Sequence, residues 1–169
     1  MNKKLIVALD FDNAELALNF LENLDPQKCL VKVGLELFIS DGWKVLDSIS
    51  EKGFEIFLDL KLHDIPNTVA NSVRKISNFN VALTTIHLNG GKDMIEAAFS
   101  EKGNLKILGV SILTSLSKHD IFEITHTEFD VYFNHLISLA SSTNIDGVVC
   151  SPNELDKLKN FNKLKVVPG

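Results

Sequence analysis

The sequence predicts a parallel α/β fold of about seven βα units, forming one domain over residues 1–169. Three observations carry that expectation. Apolar runs of strand length alternate with segments of helical period along the whole chain. The runs are apolar at successive positions, as in parallel strands that helices cover. No linker or low-complexity stretch divides the sequence. Two closures fit, an open doubly wound sheet and a (β/α)8 barrel. No Gly-x-Gly-x-x-Gly follows the first run, which weakens the dinucleotide-binding version of the open sheet. A barrel needs an eighth strand and roughly 250 residues.

The elements follow in order. "KLIVALD" (4–10) is the first strand. "NAELALNFLENL" (13–24) places Leu16, Phe20 and Leu24 on one helical stripe with Ala17 and Leu21, capped by Asp12 or Asn13 and followed by Pro26. "CLVKVG" (29–34) is strand two, and "GWKVLDSISEKG" (42–53) a helix with Val45, Leu46 and Ile49 inward. "FEIFLDLK" (54–61) is strand three. "IPNTVANSVRKISNF" (65–79) is a helix opened by proline, with Val69, Val73 and Ile76 at helical spacing. "ALTTIHL" (82–88) and "LKILGVSIL" (105–113) are strands four and five, with the helix "KDMIEAAFSEKG" (92–103) between them. "FDVYFNHLISLASS" (129–142) is the clearest helix, its apolar residues recurring from Phe129 to Ala140. "IDGVVCS" (145–151) is strand six, "NELDKLKNF" (153–161) a helix and "LKVVPG" (164–169) strand seven.

Composition bounds the function. At 45% hydrophobic and 23% charged, this is a globular composition with enough apolar residues for a core. The net charge of −5 offers no basic field to nucleic acid or an anionic membrane. Cys29 and Cys150 lie far apart in apolar runs and read as small buried hydrophobes rather than a disulfide or zinc site. "MNKKLIVALD" is too short in its apolar part for a secretory leader, and no run approaches the roughly 18 apolar residues of a membrane helix. A cytoplasmic protein is expected.

Charge falls where such strands can least tolerate it. Side chains alternate along a strand, so Ile6, Ala8 and Asp10 share a face, as do Leu30, Lys32 and Gly34, and Phe57, Asp59 and Lys61. Each of the first three strands thus presents charge at or near its carboxyl end, and Asp64 lies just beyond the third. That end is where parallel α/β folds bind ligands. A structural ion-pair network is the bland reading; a functional cluster is the preferred one. Lys32, Asp59, Lys61 and Asp64 sum to zero charge, so they can be buried if each is paired. A held ammonium can stabilise a developing anion and then protonate it. A held carboxylate disfavours a bound anionic group and favours the state in which that group has left. The set suits decarboxylation without metal or electron-sink cofactor, although a metal-dependent enolate chemistry could use the same residue types.

"DLKLHDIPNTV" (59–69) resembles the signature of the bacterial type of the orotidine 5′-phosphate decarboxylase family, which makes UMP. "IVALD" (6–10), "VKVGLELF" (31–38), "LTS" (113–115), "DGVVCS" (146–151) and "VVPG" (166–169) support it in the same order. The resemblance implies a TIM barrel that acts as a homodimer without cofactor, and an orotidine 5′-phosphate site drawn largely from residues 59–68. In it Lys61 protonates C6 of the pyrimidine, Asp59 stands against the substrate carboxylate, and Lys32 bridges Asp59 to the ribose. Asp64 and Thr68 reach the neighbouring subunit's site, and Asp10 bonds a ribose hydroxyl. Leu60, Leu62, His63, Ile65, Pro66 and Asn67 complete the signature as substrate-binding positions. Thr114 lies near the pyrimidine edge, while Val167 and Pro168 border the base; the family more often has Thr where Val167 stands.

Family members continue past the Pro-Gly with an arginine, a mobile loop carrying a glutamine and a last strand ending in a phosphate site. Residues 1–169 are therefore expected to be an incomplete barrel, with its first and last strands open to misplaced pairing. The nearest alternative is a Mg²⁺-dependent sugar-phosphate decarboxylase or hexulose-phosphate synthase of the same superfamily. Those proteins place a glutamate where this chain has Lys32, and a lysine repels a dication. A non-catalytic, truncated nucleotide-binding protein is the other alternative. The remaining candidates read as structural. His63 falls on a loop, and His87 is either a hydrogen-bonded core histidine or part of a pocket floor. His119, His126 and His135 lack partners at ligand spacing. Gly90-Gly91 is a tight turn rather than a phosphate cradle, Ser115 and Ser117 are loop and cap residues, and Trp43 is packing. Lys92, Lys102, Lys106 and Lys118 are solvated charges.

Overall fold

The computed structural model describes residues 5–168; Lys4 and Gly169, expected at the two ends of the sheet, lie outside them. Among the described residues seven strands form one parallel sheet: β1 (Leu5–Ala8), β2 (Cys29–Gly34), β3 (Ile56–Leu62), β4 (Val81–His87), β5 (Lys106–Val110), β6 (Gly147–Val149) and β7 (Leu164–Val166). Each strand pairs with its sequence neighbours, so the spatial order is the sequence order, β1 to β7. A doubly wound sheet reverses its order at a switch point; this one never does, so the barrel wall is the closure adopted.

Two apolar layers show that the wall curls. On its outside, Val31, Leu58, Ile86 and Ile107 join a cluster with helix residues such as Ala17, Ile49, Val73, Ile95 and Phe133. On its inside, Leu30, Phe57, Leu83 and Leu108 form a second cluster, against which Ile6 of β1 and Val166 of β7 both pack. The first and last strands of a flat sheet could not meet the same four side chains.

Among the described residues seven α-helices cover the outside. α1 (Ala14–Leu21) is capped by Asn13, whose side chain accepts from Leu16 N–H at 3.1 Å. The helix expected over 42–53 is α3 (Trp43–Glu51); an unexpected helix, α2 (Leu35–Asp41), precedes it across Gly42 at φ 61°. α4 (Pro66–Ile76) starts on its proline, and α5 (Gly91–Ser100) starts on Gly91 at φ 81°, so this turn does require glycine. α6 (Lys118–Thr125) was not expected as a helix, but Ser117 is its cap, in a reciprocal box with Asp120. α7 (Phe129–Ser142) has the predicted bounds. The helix expected at 153–161 is a 3₁₀ segment, Pro152–Leu158.

Smaller expectations divide. Trp43 stacks on Phe79 (ring centroids 4.4 Å apart) and meets Phe38 edge-on, which is packing. Cys29 and Cys150 are buried thiols outside any disulfide, and the Cys29 thiol donates to the Asp25 carbonyl at 3.6 Å. Lys102 is not a solvated charge. Its side chain is 16% exposed, and its ammonium lies 3.0 Å from Asp146, which also accepts the Ile107 N–H at 2.8 Å. The pair ties the chain leaving α5 to the entry of β6.

Candidate active site

The carboxyl end of β3 is irregular, and the irregularity builds the site. Leu58 pairs with Thr84 and Leu62 with Ile86, so residues 59, 60 and 61 stand opposite the single residue Thr85. This is a bulge. Lys61 sits inside it at φ 50°, a left-handed conformation that costs a non-glycine residue about 1–3 kcal/mol and concentrates at functional sites. Periodicity alone put Asp59 and Lys61 on one face. The structure also brings them together, through a distorted backbone rather than a regular strand.

Side-chain bonds complete the arrangement. Lys61 Nζ donates to Asp59 Oδ2 at 2.7 Å. The Thr85 hydroxyl donates to Asp59 Oδ1 at 2.7 Å and accepts the Lys61 backbone N–H at 2.9 Å. Asp59 is 14% exposed, shielded as a charge-bearing group in a barrel must be, and both its oxygens are bonded. Lys32 Nζ donates to Asp10 Oδ1 at 2.6 Å. This departs from expectation, because Lys32 was to bridge Asp59 to the ribose; its ammonium is held by the β1 end instead. Within one chain the four residues form two ion pairs, Lys32–Asp10 and Lys61–Asp59.

They line two adjacent cavities. A cavity of about 260 Å³ is walled by Asp10, Lys32, Asp59, Val149, Val166, Val167 and Pro168 above Ile6 and Phe57. A neighbouring cavity of about 160 Å³ shares Asp59, Val149 and Pro168 with it and adds Lys61, Thr114 and Cys150. Together they offer apolar walls with few polar groups, the usual character of a small-molecule site. Thr114 and Pro168 are thus brought to the site.

Other signature residues are not. Leu60 and Leu62 pack against the outer apolar layer, since they alternate away from the cavity. His63, Asp64, Ile65, Pro66, Asn67 and Thr68 are exposed beyond β3 and line neither cavity. Asp64 accepts the N–H of Ile65 at 2.6 Å and does not pair with Lys61 of its own chain. His87 is half-buried, its ring 5.3 Å from that of His63, and its Nδ1 is buried without a hydrogen-bond partner, contrary to the bonded core histidine expected. Burial, reinforced by His63 and Lys61 and opposed by Asp59, pushes its pKa below the ordinary imidazole value. Among the described residues no group of three or more His, Cys, Asp or Glu could hold a metal ion.

Sequence reasoning missed Thr85. It is fully buried and follows Leu83 on the inner face of β4. A hydroxyl on an inward position of an apolar strand was the available signal; its partners were hidden because strand register is not written in one strand's pattern.

Fold and site define a β/α-barrel protein whose lysines and aspartates converge at the carboxyl ends of its first three strands. The chain belongs to the orotidine 5′-phosphate decarboxylase / HUMPS family, whose sequence model matches residues 3–169. It is 41% identical to orotidine 5′-phosphate decarboxylase of Laribacter hongkongensis, over 93% of this chain and 66% of that protein. It is 40% identical to the enzyme of the same name from Oenococcus oeni, over 100% of this chain and 77% of that protein. The crystal structure of orotidine 5′-phosphate decarboxylase from Lactobacillus acidophilus superimposes with a TM-score of 0.91 at 37% identity, covering 99% of this chain and 81% of that one. The chain therefore spans about two thirds to four fifths of the length of these relatives. Among the described residues no helix is long and apolar enough to cross a membrane.

Proposed function

We propose that this chain belongs to a cytoplasmic enzyme that decarboxylates orotidine 5′-phosphate to UMP without a cofactor. The observation that carries the reading is the Asp59–Lys61 pair, 2.7 Å apart at the wall of the cavity, with Asp59 its shielded member. The substrate carboxylate sits against Asp59, and the repulsion between two anions raises the ground state. The C6–carboxylate bond breaks, its electron pair stays on C6, and CO₂ leaves. The Lys61 ammonium stabilises that carbanion and gives it a proton, leaving a neutral amine that solvent reprotonates. Asp10 and Lys32, bonded to each other, present a donor and an acceptor for the ribose hydroxyls at the far side of the cavity.

The active unit is a homodimer. Support comes from Asp64, Ile65 and Thr68, which project from the segment after β3 without reaching their own cavity; a second copy receiving them would complete the lysine–aspartate alternation. The Lys32–Asp10 pair disfavours the Mg²⁺-dependent alternative, because an ammonium occupies the second-strand position where those proteins offer a carboxylate. Turnover of orotidine 5′-phosphate by the full-length protein, and its loss in Lys61→Ala, tests the reading. A fall of at least roughly a thousandfold in kcat with an unchanged melting temperature is expected. Activity within tenfold of wild type rejects Lys61 as the proton donor, and activity lost to EDTA and restored by Mg²⁺ selects the alternative.

A further inference from the structure

The bulge in β3 poses a problem that one side chain solves. In a regular parallel ladder every second β3 residue bonds a β4 carbonyl through its N–H, but three β3 residues face one β4 residue here, and Lys61 has no partner in the ladder. The Thr85 hydroxyl takes the Lys61 N–H at 2.9 Å. The same oxygen then donates its proton to Asp59 Oδ1 at 2.7 Å. A hydroxyl offers one donor and two acceptor sites, so both bonds can be made at once. Valine has the same shape and could make neither.

We propose that Thr85 is a positioning residue that splices the register break in β3 and so fixes both members of the Asp59–Lys61 pair. The bond to Lys61 holds its backbone in the left-handed conformation that aims the ammonium at Asp59. The bond to Asp59 fixes one carboxylate oxygen and leaves the other for Lys61. Thr85 is fully buried and lines neither cavity, so it acts through these two residues and not on substrate. Adjacent Thr84 is equally buried, but its hydroxyl donates to the Leu58 carbonyl, a bond below the break that holds no charged group.

The kinetic half of the test rests on the decarboxylase reading; the structural half does not. Thr85→Val, and Thr85→Ala should the valine variant fail to fold, should lower kcat about ten- to a hundredfold, the worth of a hydrogen bond to a charged group. KM should change less, and Thr85→Ser should recover most of the loss. Independently of any substrate, amide exchange at Lys61 should accelerate at least tenfold in Thr85→Val or Thr85→Ala and stay near wild type in Thr85→Ser. If the wild-type protein does not turn over orotidine 5′-phosphate, the functional reading falls and the exchange measurement still decides the role of Thr85. Unchanged exchange at Lys61 in a folded variant without the hydroxyl, or a serine variant as impaired as the valine one, overturns the proposal.

Discussion

Gly147, the glycine of "DGVVCS", pairs with Leu164 across β6 and β7, and Gly147→Ala tests how the last strand is held. An added Cβ would lie 2.3 Å from the Leu164 carbonyl oxygen, 2.7 Å from the Leu164 Cβ and 2.8 Å from its carbonyl carbon. Two of those three atoms are backbone, so no rotamer change relieves the contact, and β7 must retreat by roughly 1 Å to reach ordinary contact distance. β7 has only three residues to resist with. Its attachments include Leu164 N–H to Asp146 O and Cys150 N–H to Val166 O, both 3.1 Å. Losing two such bonds costs about 1–3 kcal/mol, and forcing the methyl in without moving the strand costs about the same. A destabilisation of about 2 kcal/mol is expected, read as a lower urea midpoint with an unchanged slope. Because Val166, Val167 and Pro168 wall the larger cavity, KM for substrate should also rise. A variant within about 0.5 kcal/mol of wild type and with unaltered KM would show that β7 is not pinned by this contact.

Three further outcomes follow from the same geometry. Mixing inactive Lys61→Ala and Asp64→Ala subunits should restore up to a quarter of wild-type activity, roughly the share of whole sites that random pairing gives in a shared-site dimer; no recovery, with heterodimers shown by mass, refutes the shared site. Asp146→Ala removes the partner of a mostly buried ammonium and the acceptor of the Ile107 N–H, and should cost about 2–4 kcal/mol in urea unfolding; a loss below about 0.5 kcal/mol would mean that Lys102 is solvated after all. His87, whose folded pKa is depressed chiefly by burial, contributes stability that is present above its ordinary value of 6.5 and lost as pH falls through the lower folded value. Wild type should therefore weaken more between pH 7 and pH 5 than His87→Gln, and equal slopes would contradict that assignment.

Elements with a long internal period could be read from the sequence alone. The α7 helix repeats its apolar residues over four turns and was located to the residue, and β2 is a bounded apolar run. α2 and α6 were invisible for opposite reasons. α2 has seven residues and buries only Leu37, so it leaves almost no stripe. α6 buries only Ile121 but is nucleated by its capping box, a signal carried by Ser117 and Asp120 rather than by hydrophobic period. The 3₁₀ segment at Pro152–Leu158 shows the limit of period counting, since a seven-residue segment reads alike at three or at 3.6 residues per turn.

The site was legible in its residues and not in its wiring. Alternation along three strands was enough to gather Asp10, Lys32, Asp59 and Lys61, because all four lie within two or three residues of where regular strand geometry ends. Who bonds whom depends on register between strands, and there the sequence is silent. The offset between β3 and β4 shortens from 26 residues at Leu58–Thr84 to 24 at Leu62–Ile86. That slip of two leaves the inward face of β3 unchanged, because side chains repeat every second residue. A slip of one would have turned Leu60 into the cavity and Lys61 into the apolar outer layer. The bulge thus distorts the backbone around Lys61 while conserving the parity that carries the chemistry. For that reason a face assignment made on the assumption of a straight strand survived a strand that is not straight.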